Sequence, residues 1–371
     1  FKQKTAYEIS LGLVGSEMCI RDRLLVSCST KEDNAFKSQF MAYKALFIDG
    51  GRVVDTGNDE VSHSEGQGYG MLFAVAADDK DTFDALWHWT QRTLLRSDGL
   101  FSWRYRPCAD NSESCIDDPN NASDGEILIA WALLRASEKW GIKGYQDEAG
   151  KIVQAVEQKL LVEHQGSVML LPGEYGFTSQ SEGQKSLQLN LSYWVFPALT
   201  DLSALSNTPS RWQKLHQTGL TLLSNMQFSS YQLPSDWVRF EPRNSGSAKS
   251  GLSGELTLTN VVSAEFGFNA IRIPLQLAWS VQVRDNAALA EELFAPYYQW
   301  WAKTPTPATV NLLTEQTAEY EMTPGMQSVK LAVKYLMKSE EPVWPTVNRK
   351  MDYYSASLTL LSMLAVSDNA S

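Results

Sequence analysis

The chain has 371 residues, 43% of them hydrophobic, and a formal net charge of −11 with a pI near 5.0. It is long enough to bury one large core or two ordinary ones, and its acidity, with no block of consecutive Lys or Arg, excludes nucleic-acid binding as its main business. Its 12 Trp, 14 Tyr and 14 Phe offer faces that stack on flat, weakly polar ligands such as sugar rings, although a packed interior uses the same side chains.

The first segment, AYEISLGLVGSEMCIRDR (6–23), has neither a helical nor a strand period. It resembles a translated adaptor stretch, so residues 1 to about 23 are set aside from fold reasoning. Leu25-Val26-Ser27-Cys28 follows and looks like a lipobox, whose Cys28 would receive a lipid. Residues 1–30 are therefore expected to be scar and signal remnant on a periplasmic or secreted, lipid-anchored or free, monomeric protein. Residues 31–371 are expected to form a single catalytic domain. From there on, apolar residues recur at i, i+3, i+4 and i+7, predicting helices near 33–47, 64–77, 80–95, 124–140 and 145–162. Further helices are predicted near 190–204, 209–226, 264–283, 286–302, 325–338 and 351–366. Strand-like alternation is confined to pieces such as GSVMLLPG and ELTLTNVV. That many helices, with no repeat of fixed period, predicts an all-α fold, either a closed toroid of helical hairpins or a solenoid. The one flexible stretch, NSGSAKSGLSG (244–254), is too embedded to mark a domain boundary.

Cys108 and Cys115 flank a short polar loop and are read as a disulfide or as two free thiols. There is no CxxC, and none of His63, His88, His164 and His216 stands at a ligand-like spacing, so no metal or other cofactor is expected. No later run of eighteen apolar residues exists, so membrane contact is expected only through Cys28.

The chemistry starts at HSEGQGYGM (63–71). Ser62 or Ser64 can cap a helix here, and Glu65 in its first turn suits the dipole. Three glycines in five residues weaken such a helix by about 1 kcal/mol each relative to Ala. They imply a close approach, either of another helix or of an extended ligand. A second carboxylate, Asp124, stands at the start of the helix in NNASDGEILIAWALLRASEKW (120–140). Two carboxylates at two helix mouths on one rim can serve as a proton donor and a sugar-holding group.

SEGQGYGM and ASDGEILIAWALLRASEKW resemble glycoside hydrolase family 8, a bacterial endoglucanase family. WHWTQRTLL (87–95), SVMLLPGEYGF (167–177), LNLSYW (189–194), PSDWVRFE (234–241), NAIRIPLQLAW (269–279) and YYSASLTLL (353–361) follow in the family's order. The resemblance implies an (α/α)6 toroid of six inner and six outer helices, with a groove for β-glucan and hydrolysis with inversion. It makes Glu65 the general acid, which must then hold a raised pKa, and Asp124 the residue that holds and distorts the sugar. It also implies sugar contacts from Trp103, Tyr193, Asp236, Trp237, Arg239, Arg272 and Tyr353 or Tyr354, the last two equally suited to core packing. One position departs. Where the family's base is an Asp before Ala-Ile-Arg, this chain has Asn269, and an amide cannot take a proton from water. A branch with Asn there draws its base from an inserted loop, and EPRNSGSAKSGLSGELTLTN (241–260) is such an insertion. Glu255 is the first candidate, with Glu241, Glu265 and Asp236 behind it and Asn269 left to orient the water. The expected activity is an inverting endo-β-1,4-glucanase. Chitosanase, lichenase and xylanase activities are the alternatives within the family, and a catalytically silent glucan-binding lipoprotein is the alternative outside catalysis.

Overall fold

The computed structural model describes residues 34–108, 115–181, 184–242, 254–258 and 263–369. The expectations for the adaptor-like stretch, the lipobox and Cys28 lie outside these residues, as do 243–253 and 259–262 in and around the insertion.

The described helices are α1 (34–47), α2 (Ser64–Ala77), α3 (Lys80–Thr93), α4 (Ser123–Trp140), α5 (Lys143–Lys159), α6 (Phe196–Leu202), α7 (Pro209–Asn225), α8 (Ile273–Trp279), α9 (Val281–Arg284), α10 (Ala287–Trp301), α11 (Pro324–Lys338) and α12 (Tyr353–Ser367). Six of them touch in sequence, α2 to α4, α6, α8, α11 and α12, and α12 closes the ring back onto α2. The others pack outside it. Tyr43 of α1, for example, meets Phe73 of α2 edge-on and hydrogen-bonds Ser357 of α12.

Residue pattern decides which helix stands where. Nearly every residue of α2 and of α12 is buried, as suits helices that are apolar all round. By contrast α3 buries Phe83, Leu86, Trp87 and Thr90 on one stripe and pairs Lys80 with Asp84 on the other.

The glycines of α2 are explained by packing. A Cβ at Gly66 would come within 2.5 Å of Tyr353 Oη, one at Gly68 within 2.5 Å of Leu128 Cβ, and one at Gly70 within 2.6 Å of a Val53 methyl. Gly125 in turn leaves room for Ser64, so the mouths of α2 and α4 lie side by side. Neither serine caps α2, contrary to the sequence expectation. Ser62 Oγ accepts from Arg52 at 3.0 Å, Ser64 is spent in the α4 contact, and His63 stands at the N-cap with no side-chain bond. The Ser64 N–H donates instead to Trp103 O at 3.0 Å, which ties the Trp103 loop to the helix mouth.

Two predicted helices are broken. The 264–283 segment begins as a strand, Glu265–Phe266, paired with Val310–Asn311, then turns through Ala270–Arg272 into α8. Pro274 lacks an N–H and so sits in the first turn of α8, and the N–H groups of Gly267 and Ala270 are taken by Asp236. Pro197 starts α6 in the same way and separates it from the turn Leu191–Tyr193. The sequence also understated the sheet. Gly254–Thr257, Val238–Pro242, Gln184–Leu189 and Thr178–Ser181 form a four-stranded antiparallel sheet in that order, of which only the first lay in a predicted strand.

Replacing Gly68 by Ala is expected to force α2 and α4 apart. Overpacking of this kind costs about 1–3 kcal/mol, against roughly 1 kcal/mol regained in helix propensity. Urea denaturation should show a net loss of stability; a stabilised variant would contradict the close crossing.

Candidate active site

Arg272 is the hub of the ring's open end. It enters from the turn before α8, and its side chain is 6% exposed. Nη1 lies against Glu65 Oε1, donates to Tyr69 Oη at 3.2 Å and stands 3.5 Å from Asp124 Oδ2. Nη2 donates to Ser192 Oγ at 2.8 Å and to Asn269 Oδ1 at 2.9 Å, and the guanidinium lies 5.7 Å from the Tyr193 ring centroid. A planar guanidinium is suited to this, since its fixed fork of donors serves several acceptors at once. Glu65 also accepts from Tyr69 Oη at 2.9 Å, one helical turn along α2, and remains 20% exposed, so solvent reaches it. Tyr69, Asp124, Ser192, Arg272 and Gln276 line one cavity together with Leu128, Trp131 and Leu361 of the ring helices.

Asp124 and Glu126 share the first turn of α4, both buried. Burial, helped by Glu126, pushes the Asp124 carboxyl up to about 7, while Arg272 at 3.5 Å favours its charged form. Burial likewise pushes Glu126 up to about 7, against the Phe101 N–H that donates to Oε1 at 2.9 Å. A carboxyl whose pKa is raised on folding holds more protons folded than unfolded. Its stabilising contribution is complete below about 4.5 and is lost as pH rises through about 7. Thermal melts should therefore show part of the decline between pH 4.5 and 7 removed in Glu126→Gln. An unchanged slope would assign the decline to other groups.

Aromatic side chains stand on the segments next to these groups. Trp103 is half-buried, donates from Nε1 to Asp118 at 2.8 Å and lies parallel to His63. Its neighbouring segment ends in a disulfide between Cys108 and Cys115, with Cα atoms 5.6 Å apart. Tyr193 meets Trp237 edge-on, and Trp237 lies parallel to Phe177. Arg239, half-exposed two residues beyond Trp237, faces Glu241 at 4.0 Å. The Tyr353/Tyr354 pair divides. Tyr353 is 4% exposed and packs on Tyr43 and Phe47, because its position on α12 turns it into the ring wall. Tyr354 donates to Phe268 O and meets the exposed Phe268 ring edge-on.

The four candidate bases fall into two groups. Glu241 and Glu255 are directly opposed across neighbouring strands, and Glu255 is exposed. Asp236 and Glu265 are instead adjacent to Asn269: the Asp236 N–H donates to Glu265 O at 2.6 Å, and Asp236 Oδ1 accepts from Gly267 and Ala270 at 3.0 and 2.7 Å. Sequence reasoning did not single out Tyr69, Ser192, Phe177 or Phe268. The i, i+4 spacing from Glu65 could have found Tyr69; the other three are brought in by tertiary folding alone.

The sequence profile of glycosyl hydrolases family 8 matches residues 18–368. A probable endoglucanase from Novacetimonas hansenii is 35% identical over 334 residues, covering 90% of this chain and 91% of its own. Among solved structures, the family 8 endoglucanase Cel10 from Klebsiella pneumoniae is 38% identical with a TM-score of 0.77, over 89% of this chain and 99% of that one. An endo-β-1,4-glucanase from an Achatina fulica gut metagenomic library is also 38% identical, with a TM-score of 0.76 over 89% and 97% of the two chains.

Proposed function

The chain belongs to glycosyl hydrolases family 8, and given that membership we propose that it is an endo-β-1,4-glucanase cleaving cellulose-type chains with inversion. One observation carries the reading. Glu65, at the mouth of a ring helix and still partly exposed, is joined through Arg272 to Asp124, and the same guanidinium reaches Tyr193, which meets Trp237.

Glu65 supplies the proton to the glycosidic oxygen of the leaving sugar, while water attacks the anomeric carbon from the opposite face. Asp124, fixed by the Gly125 N–H at 2.9 Å, holds a sugar hydroxyl at the cleavage point. Tyr193 and Trp237 take sugar faces, with Trp103 and Tyr354 at the rim. Arg272 bridges Glu65 and Asp124 and so fixes the position of one relative to the other at the cleavage point.

The names of the relatives support the endo-β-1,4 specificity, and the disulfide fits a chain exported to an oxidising compartment, as the lipobox at Cys28 implies. Among the described residues no helix is long and apolar enough to cross a membrane. Asn269 favours one rival, a glucan-binding protein without turnover. The test is to incubate the protein with carboxymethyl-cellulose, chitosan, lichenan and xylan and to follow the fresh reducing ends by NMR. Rapid chain shortening of carboxymethyl-cellulose with α-anomeric products is expected. β-Anomeric products would reject inversion, and cello-oligosaccharide binding without any product would select the silent binder.

A further inference from the structure

An inverting hydrolase needs a carboxylate on the water side of the sugar, and position 269 offers only an amide. The geometry points to Asp236 as the general base, with Asn269 orienting the water; this rests on the reading of the site as an inverting glucanase.

Asp236 is built into the turn that carries Asn269. Its Oδ1 is occupied by the Gly267 and Ala270 N–H groups, which fixes the plane of the carboxylate. Its Oδ2 lies over Gly267, where a Cβ would stand only 2.9 Å away, so the glycine leaves room beside that oxygen. Asn269 stands in the same turn, close enough for its side chain to favour the ionised form of Asp236. Because Asn269 Oδ1 is engaged by Arg272 at 2.9 Å, the amide nitrogen is the end left to donate to the carboxylate. The order is thus Glu65, Arg272, Asn269, Asp236. The acid and the base are linked through one guanidinium and one amide and not by direct contact, and inversion calls for two carboxyl groups with room for a water between them.

The electrostatic surroundings agree. Asp236 is faced by Glu265 from the neighbouring strand, by Tyr193 and by Tyr354 of α12, with Arg272 beyond Asn269. Burial is the main cause that pushes it up to about 6, with Glu265 adding to it, and a base is most effective when its pKa is close to the working pH. The rivals are less well placed. Glu241 and Glu255 oppose each other on the sheet, where Glu255 is exposed and Glu241 pairs with Arg239.

In the step proposed, the water oxygen bonds to the anomeric carbon as the bond to the leaving oxygen breaks. The Glu65 proton goes to that oxygen and one water proton goes to Asp236 Oδ2. The enzyme ends with Asp236 protonated and Glu65 ionised, and exchange with solvent resets both.

The test uses the full chain with carboxymethyl-cellulose and a cello-oligosaccharide. Asp236→Asn is expected to lower kcat by about 10²–10⁴-fold, with oligosaccharide affinity and melting temperature near those of the parent. The double variant Asp236→Asn, Asn269→Asp should recover at least tenfold of that loss, since it places a carboxylate at the water. Asn269→Asp alone should move the acid limb of kcat/KM, near pH 6 in the parent, to higher pH, because a second carboxylate beside Asp236 disfavours its charge; this reading survives even if Asp236→Asn folds poorly. An Asp236→Asn enzyme with parental kcat, or an acid limb that Asn269→Asp leaves in place, overturns the assignment. Loss of activity in Glu255→Gln with Asp236→Asn unaffected would hand the role to the sheet. Glu65→Gln separates the two levels: if it is inactive while Asp236→Asn is active, only the base is wrong, and if the parent itself releases no product the enzymatic reading fails.

Discussion

Glu65→Gln is expected to reduce kcat on carboxymethyl-cellulose by about 10²–10⁴-fold, the size of general-acid assistance to a poor leaving group. The amide matches the carboxylate in shape, and its carbonyl can still accept from Tyr69 Oη, so the helix mouth and the α2–α4 contact should be kept. What it cannot do is give a proton to the glycosidic oxygen. The loss should therefore depend on the leaving group. An aryl cellobioside whose phenol is already acidic needs little protonation and should retain far more of its parental rate. Equal losses on both substrates would show that Glu65 acts by binding or packing, and an unaffected rate would remove it from the chemistry altogether.

Arg272→Met is expected to have the largest effect on stability. The guanidinium is buried and serves Glu65, Asp124, Tyr69, Ser192 and Asn269 together. Removing one partner of a buried ion pair typically costs about 3–5 kcal/mol, because the charges left behind are neither solvated nor paired. Met fills most of the volume, so the loss should be electrostatic and should shrink at acid pH, where the carboxyls can protonate. Activity should fall by about 10²-fold or more, as small displacements of reacting groups commonly cost that much. Denaturation at pH 5 and pH 8, with kinetics on the same samples, checks both. A loss independent of pH would mean that Arg272 acts by packing.

How much of this was legible beforehand differs from element to element. Ser64–Ala77 and Pro324–Lys338 fall within a residue of their predicted positions, since each is bounded by strong local signals: a change of period after His63, and Thr323-Pro324 ahead of an apolar stripe. The 264–283 segment was misread because its apolar residues repeat at helical spacing, while the strand pairing with Val310–Asn311 and the claim of Asp236 on two N–H groups come from distant chain. The sheet was mostly missed for a similar reason, as Val238–Pro242 has too short an alternation to stand out until Gln184–Leu189 lies beside it.

Local order in the chain determined which residues are candidates for the chemistry: an acid flanked by glycines at one helix start, an Asp at another, aromatics between, and an amide where a base is expected. Helical periodicity and cap residues act over a few positions, so they can be read without the fold. Only the tertiary structure decided the rest. It showed that the glycines serve the α2–α4–α12 contacts, that Tyr353 belongs to the wall and Tyr354 to the rim, and that Asp236 stands against Asn269 while Glu255 stays on the sheet. These are matters of which surfaces meet between segments well separated in the chain, and side-chain volume and buried charge settle them only once the ring has closed.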